Sequence, residues 1–369
     1  MIHALIVSLI AVLFAYLVRF RGFKYGLECA FCLITVFLAI RYDWGNDYMG
    51  YFYGFDEYNR SNIDLFDFDG LSSLRAKGEL GWVFLNKLCA PIGFFGMVIV
   101  LTLFENYVLY RFIKINVPAR WYWLAIFIFT FDPILMLTGA SMMRQFLAMC
   151  IYILSIKYIF KHEIIKFALL VLLASMFHTS ALILLPTYFL GYIKINTSFK
   201  SIFWIVPLYL IWLFVSPRLF EDSVLWILDT EKFEVYNYYW DNDDVQKGGG
   251  IGLGNLFYSA LLIVFLTQLK SVDKYSRLLI ILYLLSVLFI PLTAVAPMVS
   301  RIGFYFSILS VACYPIVFKK WTLAPISKYV FIGAYMLLLL YMYINFFYSE
   351  VWHDKFFEYQ TVFSLPFWV

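Results

Sequence analysis

The sequence predicts an all-α, polytopic helical membrane protein, and two observations carry that prediction. Of its 369 residues, 63% are hydrophobic and only 14% are charged, a balance far from that of soluble domains. Uninterrupted apolar runs of about 15 to 22 residues recur from end to end, each roughly long enough to cross the hydrocarbon layer as a helix. We therefore expect a single integral membrane domain over residues 1–369.

The order of the helices follows from the basic residues. Lys and Arg concentrate in six short segments between apolar runs, which the positive-inside rule assigns to the cytoplasm. Six inner loops imply about twelve crossings. The predicted spans lie near residues 2–18, 25–41, 93–113, 121–138, 144–160, 164–178, 179–193, 201–216, 252–269, 277–297, 301–318 and 329–348.

Three of these assignments need a local argument. The first apolar run precedes its basic residues, Arg19, Arg21 and Lys24, which predicts a true span with an external N-terminus. Residues 164–193 hold two short apolar runs with lysines at both ends, which predicts a hairpin that turns at 177–179. The amphipathic segment 81–90 precedes a proline and a glycine, and we expect it to lie along the membrane interface.

Two long outer segments then remain, at about 42–91 and 217–250, and both are rich in Asp and Glu. The net charge of +4 comes from basic residues scattered through short loops, so it gives no argument for a nucleic-acid partner.

The predicted topology brings charged or polar residues from four separate segments to this outer face. The first segment supplies Arg41 and Asp47, and the other three supply Arg144, His178 and Arg301. A single arginine at a membrane boundary is more often a snorkelling anchor than a ligand-binding residue, but three on the non-cytoplasmic side run against the usual bias. Guanidinium groups suit phosphate oxygens, which indicates a lipid phosphate or diphosphate as ligand.

Carboxylates and aromatic rings in the same segments add a second requirement. Carboxylates accept hydrogen bonds from sugar hydroxyls, and a carboxylate or imidazole can take the proton from an attacking hydroxyl. Together with the arginines, these residue types favour a lipid-linked sugar as substrate.

The residues also resemble a known family. The segments RYDWGNDYMGYF, GELGWVFLN, SMMRQFLAMCIYILSIKYI, FHTSALILLP and SRIGFYF, in this order, are similar to those of the EpsG/Wzy-type polysaccharide polymerases. The first segment departs from the commoner Gly-Thr-Asp-Tyr pattern by reading Gly45-Asn46-Asp47-Tyr48, which leaves Asp47 and Tyr48 in register.

The resemblance implies a C-type glycosyltransferase-like architecture and a polymerase reaction. A growing glycan would pass from undecaprenyl diphosphate to a sugar hydroxyl of another undecaprenyl-diphosphate-linked repeat unit, at the outer, periplasmic face of the bacterial inner membrane. It also implies a separate chain-length-regulating co-polymerase. Because diphosphate is already a good leaving group, we expect no metal or other cofactor.

The site residues expected from these arguments fall into two groups. Asp47 or His178 would act as the base, with Glu79 as a further catalytic alternative. The substrate-binding residues would be Arg41, Tyr48, Arg144, Gln145, Arg301 and Tyr305.

Two other functions compete with this interpretation. A flippase for lipid-linked oligosaccharides would also need cationic residues, but it would place charge near the bilayer midplane and often shows repeated halves. A membrane O-acyltransferase would account for a histidine in an apolar segment, yet it would leave the three outer arginines unexplained.

Overall fold

The fold is given by a computed structural model. The structure describes residues 1–20, 23–61, 79–193, 207–216, 253–289 and 297–364, together with residues 205, 219 and 292. Within these residues the regular structure is helical apart from one pair of two-residue strands. The predicted outer segment 217–250 lies outside the described residues except for position 219, as do residues 62–78 of the first outer segment.

The first third of the chain alternates long apolar helices with a short polar stretch. Its elements are α1 (Ile2–Leu17), α2 (Gly26–Ala39), β1 (Arg41–Tyr42), α3 (Tyr48–Arg60), α4 (Leu80–Leu88), a 3-10 turn (Ala90–Ile92) and α5 (Gly93–Asn116). Helix α4 overlaps the segment 81–90 predicted to be amphipathic, and it lies near the end of the first outer segment, just before a long apolar helix.

The middle of the chain is more broken than the sequence predicts. After a 3-10 turn (Ala119–Trp121) come α6 (Tyr122–Phe131), α7 (Met136–Ser141), α8 (Met143–Phe160), α9 (Ile164–Ser175) and a long 3-10 helix (Thr179–Tyr192). The remaining elements are α10 (Pro207–Ser216), α11 (Leu253–Gln268), α12 (Lys274–Phe289), α13 (Pro297–Ser307), α14 (Ser310–Lys319), α15 (Pro325–Tyr348), α16 (His353–Phe356), β2 (Gln360–Thr361) and a last 3-10 turn (Val362–Ser364).

The lengths and apolar character of the helices determine which of them can cross the membrane. Among the residues that the structure describes, three helices are long and apolar enough to cross it: Ala90–Asn116, Met143–Phe160 and Pro325–Tyr348. The bent pair Arg301–Ser307 and Ser310–Lys319, with 42° between its halves, can supply a fourth span. The all-α character is confirmed and the apolar helices suit a membrane-embedded protein, whereas twelve crossings are not confirmed.

The expectation of one continuous span over 121–138 was wrong, because the helix stops at Phe131 and restarts at Met136. Asp132 precedes Pro133, and a residue before proline is pushed out of the helical region. Asp132 has ψ of 109°, and its carboxylate accepts the Ile134 backbone N–H at 3.1 Å. The span predicted at 301–318 is likewise bent, and Arg301 lies inside α13 instead of at the start of a helix.

The hairpin predicted over 164–193 is present, with the chain breaking at residues 176–178. The second arm is a 3-10 helix and not an α-helix, and it contains Pro186, which removes a backbone donor.

The end of the chain returns to support the first outer segment. Strand β2 pairs antiparallel with β1, so that Arg41 lies opposite Thr361. Lys355 forms an ion pair with Asp43 at 3.0 Å, and the Trp44 indole donates to the Phe356 carbonyl at 3.1 Å. This packing fixes the loop that leads into α3.

Candidate active site

Asp47 is the residue immediately before α3, and a close backbone contact sets its position. Gly45 has φ of +128°, and a Cβ at this position would lie 2.9 Å from the Cα of Ser141. The Asp47 backbone N–H donates to the Ser141 hydroxyl at 3.2 Å. The loop is thereby held against the end of α7, while the Asp47 side chain stays exposed. Its carboxylate has no hydrogen-bond partner among the described residues.

Glu79 is placed in the same way at the start of α4. The Gly81 backbone N–H donates to the Met176 carbonyl at 2.9 Å, just beyond the end of α9. A Cβ on Gly81 would lie 2.7 Å from both the Cβ and the carbonyl oxygen of Met176. Only glycine allows this approach, which brings Glu79 close to His178 in the turn after α9.

Arg144, in the first turn of α8, forms an ion pair with Glu79. Its guanidinium also lies over the Tyr51 ring of α3, 5.6 Å from the ring centroid. The Nε atom is buried and has no hydrogen-bond partner among the described residues. An unpaired buried donor costs about 1–3 kcal/mol, so a ligand oxygen that reached this N–H would gain a hydrogen bond that the described residues do not supply.

Gln145 connects α8 to α13. Its amide nitrogen donates to the backbone carbonyl of Arg301 at 2.6 Å, and the side chain is buried. This bond fixes the part of α13 that carries Arg301, whose charge acts on both Asp47 and His178.

His178 is held by two hydroxyl groups. Its Nδ1 lies 2.6 Å from the Ser180 hydroxyl and 3.4 Å from the Tyr305 hydroxyl, and the two hydroxyls are 3.1 Å apart. Tyr305 lies on α13, one turn after Arg301, and is fully buried. The two hydroxyls orient the ring so that, among the described residues, Nε2 is the nitrogen left for a substrate or a water molecule.

The titration of these groups reflects their shared surroundings. Desolvation raises the pKa of the Asp47 carboxyl above its ordinary value, while the positive charges of Arg301 and Arg144 oppose the shift. Desolvation lowers the pKa of His178 to about 4; Glu79 opposes this shift, whereas Arg144 and Arg301 add to it. The imidazole is therefore neutral at pH 7.

Arg41 and Tyr48, predicted to bind substrate, lie in a different environment. The Arg41 side chain is 3% exposed and donates to the Leu38 carbonyl, to the Thr102 hydroxyl at 3.3 Å and to the Ala140 carbonyl at 3.2 Å. The Tyr48 hydroxyl donates to the Arg41 carbonyl at 2.8 Å, and its ring lies under the guanidinium. Both side chains join helices to one another, and neither reaches the Arg144–Glu79 pair.

The structure thus brings seven of the nine predicted site residues together and leaves Arg41 and Tyr48 apart. We call these seven residues the active-site cluster: Asp47, Glu79, Arg144, Gln145, His178, Arg301 and Tyr305. Sequence reasoning missed Ser141 and Ser180, which position Asp47 and His178. Both lie inside quoted segments: Ser180 follows the histidine of the FHTS motif by two residues, and Ser141 is the first residue of the segment SMMRQFLAMCIYILSIKYI.

This arrangement defines the class of protein. It is an all-α chain suited to a membrane, with two arginines, two carboxylates and a neutral histidine gathered in one cluster, so it can bind an anion beside a proton acceptor. A family model described as the EpsG family matches residues 24–361. The chain belongs to the EpsG family, a Wzy-type polymerase-like family, and its membership indicates a polysaccharide polymerase-type role. No curated protein and no solved structure matches the chain.

Proposed function

We propose that the protein is a membrane glycosyltransferase that polymerises lipid-linked repeat units. The donor is a glycan on undecaprenyl diphosphate, and the acceptor is a sugar hydroxyl of a second undecaprenyl-diphosphate-linked unit. The bond between the anomeric carbon and the diphosphate oxygen breaks, and the acceptor oxygen bonds to that carbon. The hydroxyl proton passes to a base, and undecaprenyl diphosphate leaves. The observation that carries the proposal is the convergence of Arg144 and Arg301 on Asp47.

The two arginines serve the leaving group. Negative charge grows on the diphosphate as the anomeric bond breaks, and fixed guanidinium groups in a poorly solvated site stabilise that charge. Arg144 offers its unpaired Nε, while Glu79 holds one terminal nitrogen. Glu79 is accordingly a positioning residue for Arg144.

Asp47 serves as the base. Its carboxylate is exposed and unpaired among the described residues, and its raised pKa makes it a better proton acceptor than an ordinary aspartate. His178 remains neutral and hydrogen-bonds the acceptor or its water through Nε2, with Ser180 and Tyr305 holding Nδ1.

The test uses purified protein and synthetic undecaprenyl-diphosphate repeat units, with glycan length read on a gel. Wild-type protein should give a ladder and release undecaprenyl diphosphate without an acyl donor or a membrane gradient. Asp47→Asn should reduce the rate by about 10²–10⁴-fold, the usual contribution of a general base. Transport of the lipid-linked unit without elongation would contradict the proposal and favour a flippase.

The chain offers matched controls for both charges. Asp43→Asn makes the same chemical change four residues earlier, at a carboxylate that pairs with Lys355 outside the cluster. Asp43 has φ of 41°, which asparagine tolerates well. Arg60→Ala removes an exposed arginine paired with Asp56 and is the control for Arg144→Ala. Equal activity of Asp47→Asn and Asp43→Asn would refute the role of Asp47.

The proposal includes a location, with the cluster facing the periplasm or exterior and a chain-length co-polymerase as partner. Single cysteines at Asn46, which is exposed beside Asp47, and at Lys319, which is exposed at the end of α14, test the orientation. Asn46→Cys should react with a membrane-impermeant reagent in intact cells and Lys319→Cys should not. The reverse pattern would overturn the orientation.

A further inference from the structure

A cavity with basic side chains in its lining lies away from the active-site cluster, where α8, the long 3-10 helix and α12 meet. It has a volume of about 440 Å³ and is lined by His162, by the end of the 3-10 helix at Tyr192 and by Lys274 and Arg277. Phe160 also lines it, and its ring packs against the Tyr275 ring with the two centroids 5.3 Å apart. All of these residues lie at helix ends that carry the lysine-rich loops.

The charge of this cavity is positive. Lys274 is exposed and has no partner among the described residues. Arg277 donates through Nε to the Leu269 carbonyl at 3.1 Å, which fixes the guanidinium and leaves its two terminal nitrogens. The neighbouring carboxylate of Asp273 accepts the backbone N–H groups of Tyr275 and Ser276, each at 3.0 Å, and the Ser276 hydroxyl at 2.6 Å, and among the described residues it forms no ion pair with Lys274 or Arg277.

An apolar groove continues from this cavity. The groove has a volume of about 490 Å³ and shares Leu190 and Ile281 with the basic cavity. Its walls are formed by α10, α11 and α12, with Leu208, Leu266 and Leu288 among its lining residues. The one lining hydroxyl, that of Tyr209, donates to the Val287 carbonyl at 3.4 Å.

The combined length of the cavity and the groove fits one leaflet of a bilayer. Fourteen residues separate Lys274 from Leu288, which corresponds to about 21 Å along a helix axis. One leaflet contributes about 15 Å of hydrocarbon plus its headgroup layer. A molecule with an anionic head at Lys274 and chains along the groove would therefore span a single leaflet.

We propose that this cavity and groove bind an anionic phospholipid of the leaflet on the lysine-rich side of the membrane. The phosphodiester lies between Lys274, Arg277 and His162, and the acyl chains lie along Leu208 and Ile281. Guanidinium and ammonium groups recognise phosphate, and basic pockets between membrane helices take up anionic headgroups. The proposal is independent of the polymerase function, because no residue of the active-site cluster takes part.

The test measures bound lipid by native mass spectrometry. The full chain is exchanged into phosphatidylcholine nanodiscs that contain phosphatidylglycerol and is then released into detergent. Wild-type protein should retain phosphatidylglycerol, and Lys274→Ala with Arg277→Ala should lower its occupancy by about tenfold or more. The charge-keeping pair Lys274→Arg with Arg277→Lys should retain the lipid, which separates loss of binding from loss of folding.

Two further variants make the result specific. Lys319→Ala with Lys320→Ala removes the same charge from exposed lysines that do not line the cavity, and it should leave occupancy unchanged. Leu208→Trp fills the groove without changing charge and should also lower occupancy. Equal losses in the two double-alanine variants would overturn the proposal. Displacement of phosphatidylglycerol by an equal amount of undecaprenyl monophosphate would overturn the choice of a phospholipid.

Discussion

Replacing Gly81 by alanine tests how the active-site cluster is assembled. The new Cβ would lie 2.7 Å from the Cβ and the carbonyl oxygen of Met176, whereas ordinary contact begins at 3.4 Å. The start of α4 must therefore move away from the end of α9 by roughly 0.7 Å. Because one contact atom belongs to the backbone, rotation of a side chain cannot relieve it.

The magnitude follows from two opposing effects. Overpacking of this kind costs about 1–3 kcal/mol, and alanine returns about 0.5–1 kcal/mol by its better helix propensity. We expect a net loss in the free energy of unfolding on the order of 1–2 kcal/mol. Glu79, two residues earlier, moves with the helix and draws away from Arg144, so elongation should fall by about ten- to a hundredfold.

Gly50→Ala is the matched control. Gly50 lies in α3, and no heavy atom lies within 4 Å of a Cβ built there. Chemical unfolding in detergent, followed by tryptophan fluorescence, and the laddering assay should show Gly50→Ala close to wild type. If Gly81→Ala matches Gly50→Ala in both measurements, the close approach of α4 and α9 does not hold the site together.

Further predictions concern the roles of single residues. Arg144→Ala should reduce the elongation rate by about 10²–10³-fold, measured by laddering with Arg60→Ala as the control. Arg144→Lys should give an intermediate rate, because lysine keeps the positive charge and loses the paired N–H donors of the guanidinium. Arg41→Ala should lower the free energy of unfolding by about 1–3 kcal/mol, since it leaves the buried Leu38 and Ala140 carbonyls without their donor; chemical unfolding that shows wild-type stability would contradict this. Ser180→Ala should lower the elongation rate with less effect on the KM for acceptor, because Ser180 positions His178; an unchanged rate would contradict this. In a pH–rate profile no activity should be lost around pH 6.5, because the pKa of His178 is about 4 and the ring stays neutral there. A loss centred near 6.5 that disappears in His178→Asn would contradict that assignment. The same shift should lower the free energy of unfolding as the pH falls from 6.5 to about 4, because the unfolded chain then binds the proton more tightly.

Much of the cluster could be predicted because the placement of basic loops determines which helix ends share a face. Asp47, Arg144, His178 and Arg301 each stand next to an apolar run, and the predicted topology placed all four at one face. The structure brings them together, whereas the twelve crossings of that topology are not confirmed. The all-α fold followed from hydrophobicity alone. The break at Asp132 could also have been found in the sequence, because Pro133 follows it directly.

The surroundings of Arg41 could not be predicted in this way. Its sequence context is an apolar run followed by a polar loop. The same context would suit an arginine that anchors the helix at the membrane surface, one that binds phosphate, or a buried one that hydrogen-bonds neighbouring helices. The choice depends on Thr102 and Ala140 and on the strand at Gln360–Thr361, all far away in the chain. Packing of Gly45 on Ser141 is likewise a contact between distant segments.

The balance of charge in the cluster favours Asp47 over His178 as the base. Arg144 and Arg301 carry two positive charges, and Asp47 and Glu79 carry two negative ones, so the described side chains of the cluster are together neutral at pH 7. When the donor bond breaks, the departing diphosphate gains negative charge. A proton taken up by Asp47 removes one negative charge at the same moment, next to the same two arginines, which then act on the diphosphate alone. A proton taken up by His178 would instead create a third cation beside the arginines, which already lower its pKa. Proton transfer to Asp47 therefore releases the arginines for the leaving group, and the two events assist each other.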